Sequence, residues 1–84
     1  MPDSEILQRL ERIFRDVFDS ESLALTNETT QSDIDGWDSA RQIDIVLAVE
    51  VDLGVSFTTA EVERIESVGD IVALVREKVA RGSQ

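Results

Sequence analysis

Residues 36–53 of the chain have the sequence GWDSARQIDIVLAVEVDL, and this stretch decides the fold. A polar start is followed by an apolar run from Ile43 to Leu53. An Asp side chain can accept hydrogen bonds from the free N–H groups of a first helical turn, so Asp38 is predicted to be an N-cap and Ser39 the first helical residue. The Ser39 hydroxyl would then lie at the surface, at the positive end of a helix dipole, where a phosphate ester is electrostatically favoured.

Size and composition limit what this serine can do. The chain has 84 residues, which predicts one small domain without a deep active site. It contains neither Cys nor His, so disulfides, Ser-His and Cys-His nucleophile pairs and most zinc sites are excluded. An Asp-Ser pair taken alone is most often an ordinary helix start. If Ser39 takes part in chemistry, another protein must activate it.

The charge of the chain points to the kind of partner. Eighteen acidic and eight basic residues give a net charge of −10. This charge repels nucleic-acid phosphates and anionic lipids, and it favours partners with basic patches. Residues 1–5 carry no basic segment of a signal peptide, and no apolar run approaches the length of a membrane span. We expect a cytoplasmic monomer that binds neither nucleic acid nor membranes.

The first helix is predicted from apolar residues that recur at three- and four-residue intervals. Asp3 or Ser4 is expected to cap it. From Asp19 to Asp38 the periodicity disappears, and scattered apolar residues predict a long ordered loop packed over the core. The apolar stripe of the first helix consists of Ile6, Leu7, Leu10, Ile13, Phe14, Val17 and Phe18.

The second and third helices follow from capping signals. The second is predicted from Ser39 to Asp52, and Gly54 is a plausible C-cap glycine. A short third helix is predicted from Ala60 to Ile65, with Thr58 or Thr59 as its cap.

A fourth helix is predicted after Ser67, because Ser67 with Asp70 three residues later resembles a capping box, with Asp in place of the usual Glu. The fold is therefore predicted to be all-α: a small four-helix bundle with a long ordered loop between helices 1 and 2 and a short third helix. One domain is expected over residues 1–81 and a frayed C-terminal tail over 82–84. The apolar residues of the fourth helix are Val68, Ile71, Val72, Val75 and Val79.

The second helix has two apolar faces when its residues are placed at intervals of about 100°. The face that lies beside Ser39 is flanked by Asp44 and Glu50, which suits it to a partner surface with basic edges. Alternatively, a central helix can be buried nearly all round. The face assigned to the core consists of Ile45, Val46, Val49 and Leu53. The face beside Ser39 consists of Ala40, Ile43, Leu47 and Val51.

These residues together resemble the attachment site of acyl carrier proteins, in which an Asp-Ser pair precedes an apolar helix. Gly36 and a loop bearing Ile34 precede Asp38 and Ser39, as in that family. The resemblance extends over almost the whole chain. It includes the first helix, the long loop, and residues 43–50, 53–55 and 65–71.

The resemblance implies a carrier and not an enzyme. In this family a phosphopantetheinyl transferase moves 4′-phosphopantetheine from coenzyme A to the serine that matches Ser39, and acyl groups are carried as thioesters on its thiol. Asp38 would help to present the serine to the transferase. The resemblance implies no metal site in the chain itself. Contacts to acyl-loading, condensing or acyltransferase enzymes with basic patches are expected at Ala40, Ile43, Asp44, Leu47 and Glu50.

Two residues depart from the family pattern. Leu usually follows the serine, where this chain has Ala40, and an acidic or neutral residue often stands where this chain has Arg41. These differences predict altered partner choice with modification retained. A Trp before the Asp-Ser pair, here Trp37, resembles freestanding carriers of specialised pathways more than primary fatty-acid carriers, so a polyketide-like or modified-lipid pathway is expected. Packing of the Trp ring as an anchor for the loop is an alternative explanation of this residue.

Other functions are suggested by parts of the sequence. Asp33 to Asp44 spans twelve residues, the length of an EF-hand loop, but Asp38 stands where that loop needs Gly. Peptidyl carriers of nonribosomal synthetases share the architecture and stay open as a subclass. A second hypothesis, from a different class of function, is an unmodified helical adaptor. It would bind partners through the stripe of Ala40, Ile43 and Leu47.

Overall fold

The computed structural model describes residues 1–81, which form four α-helices around one core. A single 3₁₀ turn, Gln31–Asp33, lies in the long loop between the first two helices. Within the described residues there is no β-strand, only an isolated bridge between Thr30 and Ser67. The helices are α1 (Asp3–Val17), α2 (Ser39–Leu53), α3 (Thr59–Arg64) and α4 (Val68–Arg81).

This architecture confirms the predicted all-α class, the long loop and the short third helix. The tail predicted at 82–84 lies outside the described residues. No helix within residues 1–81 combines the length and the apolar character needed to cross a bilayer.

Three of the four predicted helix starts are confirmed by their caps. Asp38 caps α2, and Thr58 caps α3 in a reciprocal pair of hydrogen bonds with Glu61. Before α4, the Ser67 hydroxyl accepts from the Asp70 N–H at 3.2 Å while the Asp70 carboxylate accepts from the Ser67 N–H. Each of these side chains satisfies an N–H group that the first helical turn would leave unpaired.

The predicted cap of α1 is wrong. The helix already includes Asp3, and its N-cap is Pro2, whose carbonyl accepts from the N–H groups of Glu5 and Ile6. The ring of Pro2 holds φ at −71°, in an extended backbone that leads directly into the helix. The Asp3 carboxylate is instead bonded to Arg76 of α4 at 2.7 Å.

The core is supplied by the three long helices and by the loop. The apolar stripe predicted for α1 packs inward, and the core face predicted for α2 is buried except for the half-buried Leu53. The short α3 contributes no buried side chain, although Ile65 directly after it is buried. The fully buried large side chains are Ile6, Leu10, Phe14, Ile45, Val49, Val68, Ile71 and Val75.

Polar side chains of α1 hold the first part of the long loop. Glu11 accepts from the Leu25 N–H at 2.9 Å, and Arg15 donates from Nε to the Leu23 carbonyl at 2.8 Å. These bonds satisfy loop backbone groups that would otherwise be partly buried without partners. The loop is therefore ordered, as its scattered apolar residues predicted.

The second part of the loop caps α4 by close backbone contact. The Val68 N–H donates to the Thr29 carbonyl at 2.8 Å, and the Gly69 N–H donates to the Asn27 carbonyl at 2.9 Å. A Cβ atom at residue 69 would lie 2.7 Å from the Asn27 carbonyl oxygen. Only glycine lets the helix approach the loop this closely.

Replacing Gly69 with Ala is expected to lower the free energy of unfolding by about 1–3 kcal/mol, because the added methyl group forces the loop away from α4. Helix propensity alone would favour Ala here by about 0.5–1 kcal/mol. The control is Ala73→Gly, at an exposed position of the same helix, which measures propensity without the clash. Urea unfolding gives both values, and a Gly69→Ala variant as stable as the native chain would contradict the role of this contact.

The short α3 is joined to α4 by an ion pair between two partly buried side chains. Lys78 lies 2.8 Å from the Glu61 carboxylate and 5.4 Å from the centroid of the Phe57 ring. The hydrogen bond from Lys78, followed by that from the Thr58 N–H, lowers the pKa of Glu61 below its ordinary value of 4.5. Glu61 thus joins the cap of α3 to α4.

A lowered pKa in the folded state makes this contribution to stability pH-dependent. It is fully present above the ordinary pKa of the carboxyl group and is lost as the pH falls through the lowered one. Glu61→Gln should therefore be less stable than the native chain at about pH 7, and the difference should shrink at about pH 3. Urea unfolding at the two pH values measures it, with Glu63→Gln on the exposed side of α3 as control. A difference that grows on acidification would contradict the assignment.

Candidate functional site

Ser39 is exposed as the first residue of α2. The Asp38 carboxylate accepts from the Arg41 N–H at 2.9 Å, and the Asp38 carbonyl accepts from the Gln42 N–H at 2.8 Å. Asp38 is therefore the cap that the sequence predicted. The Ser39 hydroxyl stands at the positive end of a helix of 15 residues, as expected.

The turn before Ser39 depends on a left-handed glycine. Gly36 has a φ of 89°, a backbone conformation that residues with a Cβ atom rarely adopt. Its carbonyl accepts from the Asp38 N–H at 2.9 Å, which closes a tight turn. Glycine is required at residue 36 by this backbone conformation and not by lack of space. An added Cβ would meet Phe18 only at an ordinary distance of 3.9 Å.

Trp37 fixes this turn to the core. Its ring is buried and packs edge-on against Phe14, with centroids 5.1 Å apart and planes at 85°. Its indole N–H donates to the Gln42 amide oxygen at 2.7 Å. A single side chain thus joins α1, the turn and α2 directly beside Ser39.

Gln42 is the functional-site residue that the sequence analysis missed. It is the buried polar side chain of the core, with only 8% of its surface exposed. Its amide oxygen accepts from Trp37 and, at 3.3 Å, from Gln31. Its amide nitrogen donates to the carbonyls of Val62 at 2.9 Å and Ile65 at 3.5 Å. We call these four bonds the Gln42 network.

The signal for Gln42 was present in the sequence. Gln42 precedes Ile45, Val46 and Val49 at helical spacing on the core face, so it is a polar residue in an apolar row. A buried polar side chain needs partners, and such a position predicts a hydrogen-bond network. The identity of the partners depends on the tertiary fold.

A groove of about 700 Å³ lies beside Ser39 and is lined by residues of α2 and of the segment around α3. Its apolar lining includes Ile43, Phe57 and Val62, and the buried Gln42 and Ile65 also line it. Its charged lining residues are all acidic: Asp38, Glu63 and Glu66.

The second apolar face of α2 is exposed to solvent. Ile43, Leu47 and Val51 have exposed fractions of 51%, 55% and 86%, and Ala40 is exposed as well. The alternative of a helix buried nearly all round is therefore excluded. We call the row of Ala40, Ile43, Leu47 and Val51 the exposed stripe.

The charged residues around the exposed stripe differ in their availability. Asp44 is exposed and pairs with Arg41 at 3.3 Å. Glu50 is half-buried, and its carboxylate accepts from the Phe57 N–H at 2.8 Å, so it holds the connection to α3.

The edge of the stripe on the side away from Glu50 meets α1. A recess there is lined by Leu47 and Val51 together with Arg9 and Arg12, and Arg9 is bonded to Asp52 at 3.3 Å. Charged side chains of both signs therefore border the stripe on the α1 side, in addition to the flanking Asp44 and Glu50.

The fold and the site define a class of protein: a small helical carrier domain that presents an exposed serine at the start of its second helix. No protein-family model matches the chain. Curated relatives do match it over nearly their full length. The acyl carrier protein of Caulobacter vibrioides is 30% identical over 77 residues, which cover 92% of this chain and 99% of the relative. That of Thermotoga maritima is 31% identical over 75 residues, covering 89% and 93%.

A solved structure supports the same assignment. The solution NMR structure of the holo acyl carrier protein from Geobacter metallireducens has a TM-score of 0.83 and 41% sequence identity, and the match covers 89% of this chain and 86% of that chain. The chain belongs to the acyl carrier protein family. The predicted class, a carrier and not an enzyme, is confirmed, as is the family's covalent cofactor, 4′-phosphopantetheine.

The contact between Trp37 and Gln42 is expected to stabilise the whole site. Trp37→Phe keeps a ring against Phe14 but removes the indole N–H and part of the buried volume, so the free energy of unfolding should fall by about 2–4 kcal/mol. Gln31→Ala is the matched control, because it removes only longer bonds of an exposed side chain, to the Gln42 amide at 3.3 Å and to the Ile65 carbonyl at 3.5 Å. Circular dichroism during urea unfolding measures both. Equal losses in the two variants would contradict the central position of Trp37.

Proposed function

We propose that Ser39 is the residue that bears 4′-phosphopantetheine and that the chain carries acyl groups as thioesters between partner enzymes. The observation that carries this proposal is the exposed Ser39 hydroxyl at the start of α2, in a member of the acyl carrier protein family. Asp38 flanks it and would contribute to recognition by the transferase.

The residues present fit the cofactor. A phosphodiester on Ser39 would lie at the partial positive charge of a helix N-terminus. The chain has no Cys, so the cofactor would supply its only thiol for thioesters. The groove beside Ser39 offers room for what is attached there.

The transfer itself needs a second protein, a phosphopantetheinyl transferase. The chain has no His that could deprotonate Ser39. The Ser39 oxygen would form a bond to the phosphate next to pantetheine, the pyrophosphate bond of coenzyme A would break, and adenosine 3′,5′-bisphosphate would leave. The hydroxyl proton would pass to a base of the transferase.

Partner enzymes are proposed to dock on the exposed stripe. Ala40, Ile43 and Leu47 supply apolar contact beside Ser39, and the exposed Asp44 supplies a carboxylate for Arg or Lys of a partner. Glu50 would contribute less than its position suggested, because it already holds the Phe57 backbone. Such docking should weaken as salt is added.

A specialised pathway is supported by Ala40 more than by Trp37. Trp37 is buried and bonded to Gln42, so packing accounts for its presence. Ala40 is exposed next to the attachment point. It lacks the longer side chain of the Leu that usually stands at this position and that partners of the family commonly contact. A polyketide-like or modified-lipid pathway and a cytoplasmic location stay predictions.

The test is modification of the purified chain by a promiscuous phosphopantetheinyl transferase with coenzyme A, followed by intact mass. We expect the mass of one phosphopantetheine to be added, and Ser39→Ala to abolish the addition. Ser4→Ala is the control, because Ser4 is another exposed serine in the first turn of a helix; it should be modified normally. No addition with several transferases would favour the unmodified adaptor, which could use the exposed stripe alone.

A further inference from the structure

Gln42, the centre of the Gln42 network, lines the groove at Ser39, and this arrangement bears on what the carrier can hold. Gln42 is one helical turn from Ser39 on α2, and both residues line the groove. Its amide spans the gap between α2 and the Val62 and Ile65 carbonyls. The buried row Ile45, Val46 and Val49 continues from Gln42 along the core face of α2.

We infer that Gln42 is a specificity-determining residue that closes the path from Ser39 to the core, so that the chain carries short, uncharged acyl groups in the groove and does not bury long alkyl chains. This inference rests on the proposed attachment at Ser39.

The hydrogen bonds of Gln42 oppose displacement by an alkyl chain. A glutamine side chain has two acceptor sites and two donors, and all four are used here. An alkyl chain entering between α2 and α3 would have to separate these groups and could bond to none of them. The buried indole N–H of Trp37 would then lose its partner, which is unfavourable in a dry interior.

The residues that line the groove also limit which acyl groups it can hold. Ile43, Phe57 and Val62 offer apolar contact for a few carbon atoms, and Gln31 and Thr59 offer polar contact. Asp38, Glu63 and Glu66 also line the groove, without any Lys or Arg among its lining residues. An acyl group with its own carboxylate would be repelled there, so an uncharged group fits best.

The experiment compares two cargoes on the native chain. Butyryl- and dodecanoyl-coenzyme A are used with the promiscuous transferase, which attaches the acylated arm to Ser39, and intact mass verifies loading. Methyl NMR spectra are then compared with those of the unacylated holo chain. We expect shifts at Ile43 and Val62 but none at Ile45 and Val49, and the same melting temperature for both cargoes. Dodecanoyl-specific shifts at Ile45 and Val49 with a raised melting temperature would overturn the inference.

Substitution of Gln42 tests its particular role. Gln42→Leu removes the amide at similar volume and should let dodecanoyl, but not butyryl, shift the Ile45 and Val49 resonances. Gln8→Leu, at an exposed position of α1, is the matched control and should behave as the native chain does. Absence of a dodecanoyl-specific effect in a folded Gln42→Leu chain would overturn the role of Gln42. If that variant does not fold, the native comparison still decides whether long chains are excluded.

The outcomes for the two proposals are distinguishable. Failure of the mass increase would remove the attachment at Ser39 and this inference together. A normal mass increase combined with burial of dodecanoyl in the native chain would leave the attachment standing and overturn the inference alone.

Discussion

The hydrogen bond from the Trp37 indole to the Gln42 amide is the interaction on which the rest of the site depends. At 2.7 Å it fixes the turn before Ser39 to the first turn of α2. The Trp37 ring carries this constraint to α1 through Phe14, and the Gln42 amide carries it to the segment around α3. Because both partners are buried, neither can exchange the bond for water without disrupting the core. Ser39 is therefore presented from a rigid base while its own side chain is exposed.

Helix α2 has one face that packs into the core and another that is exposed to solvent. One side supplies Ile45, Val46 and Val49 to the core, and the other leaves Ile43, Leu47 and Val51 in solvent. Exposed apolar side chains in a row are unfavourable for an isolated monomer and suit a surface that partners cover transiently. In a carrier protein the same helix must hold the fold together and be released by each partner in turn. Asp44 and the Arg9 side chain of α1 both border this stripe, and such mixed charge would give the contacts an orientation.

Local signals in the sequence were sufficient for most of the fold. Helical spacing and short-range caps such as Asp38 and Thr58 act within a few residues, so they can be recognised without the tertiary structure. Asp3 failed as a cap because the Pro2 carbonyl already serves the first turn and Arg76 attracts the carboxylate from another helix. The roles of Gln42 and Glu50 in holding the fold were missed for the same reason: their partners, Val62 and Phe57, come close only after the chain has folded. Ser39 was found because its signal is local, and its attachment role stays a prediction.

The position of Trp37 has a practical consequence. It is the chain's one tryptophan, and it lies two residues before the proposed attachment point with its indole N–H bonded to the residue that lines the groove. The emission of an indole depends on its hydrogen bonding and on the polarity around it. The protein therefore contains a built-in optical probe at the place where cargo would be held, and binding, loading and unloading could be followed by intrinsic fluorescence without adding a label.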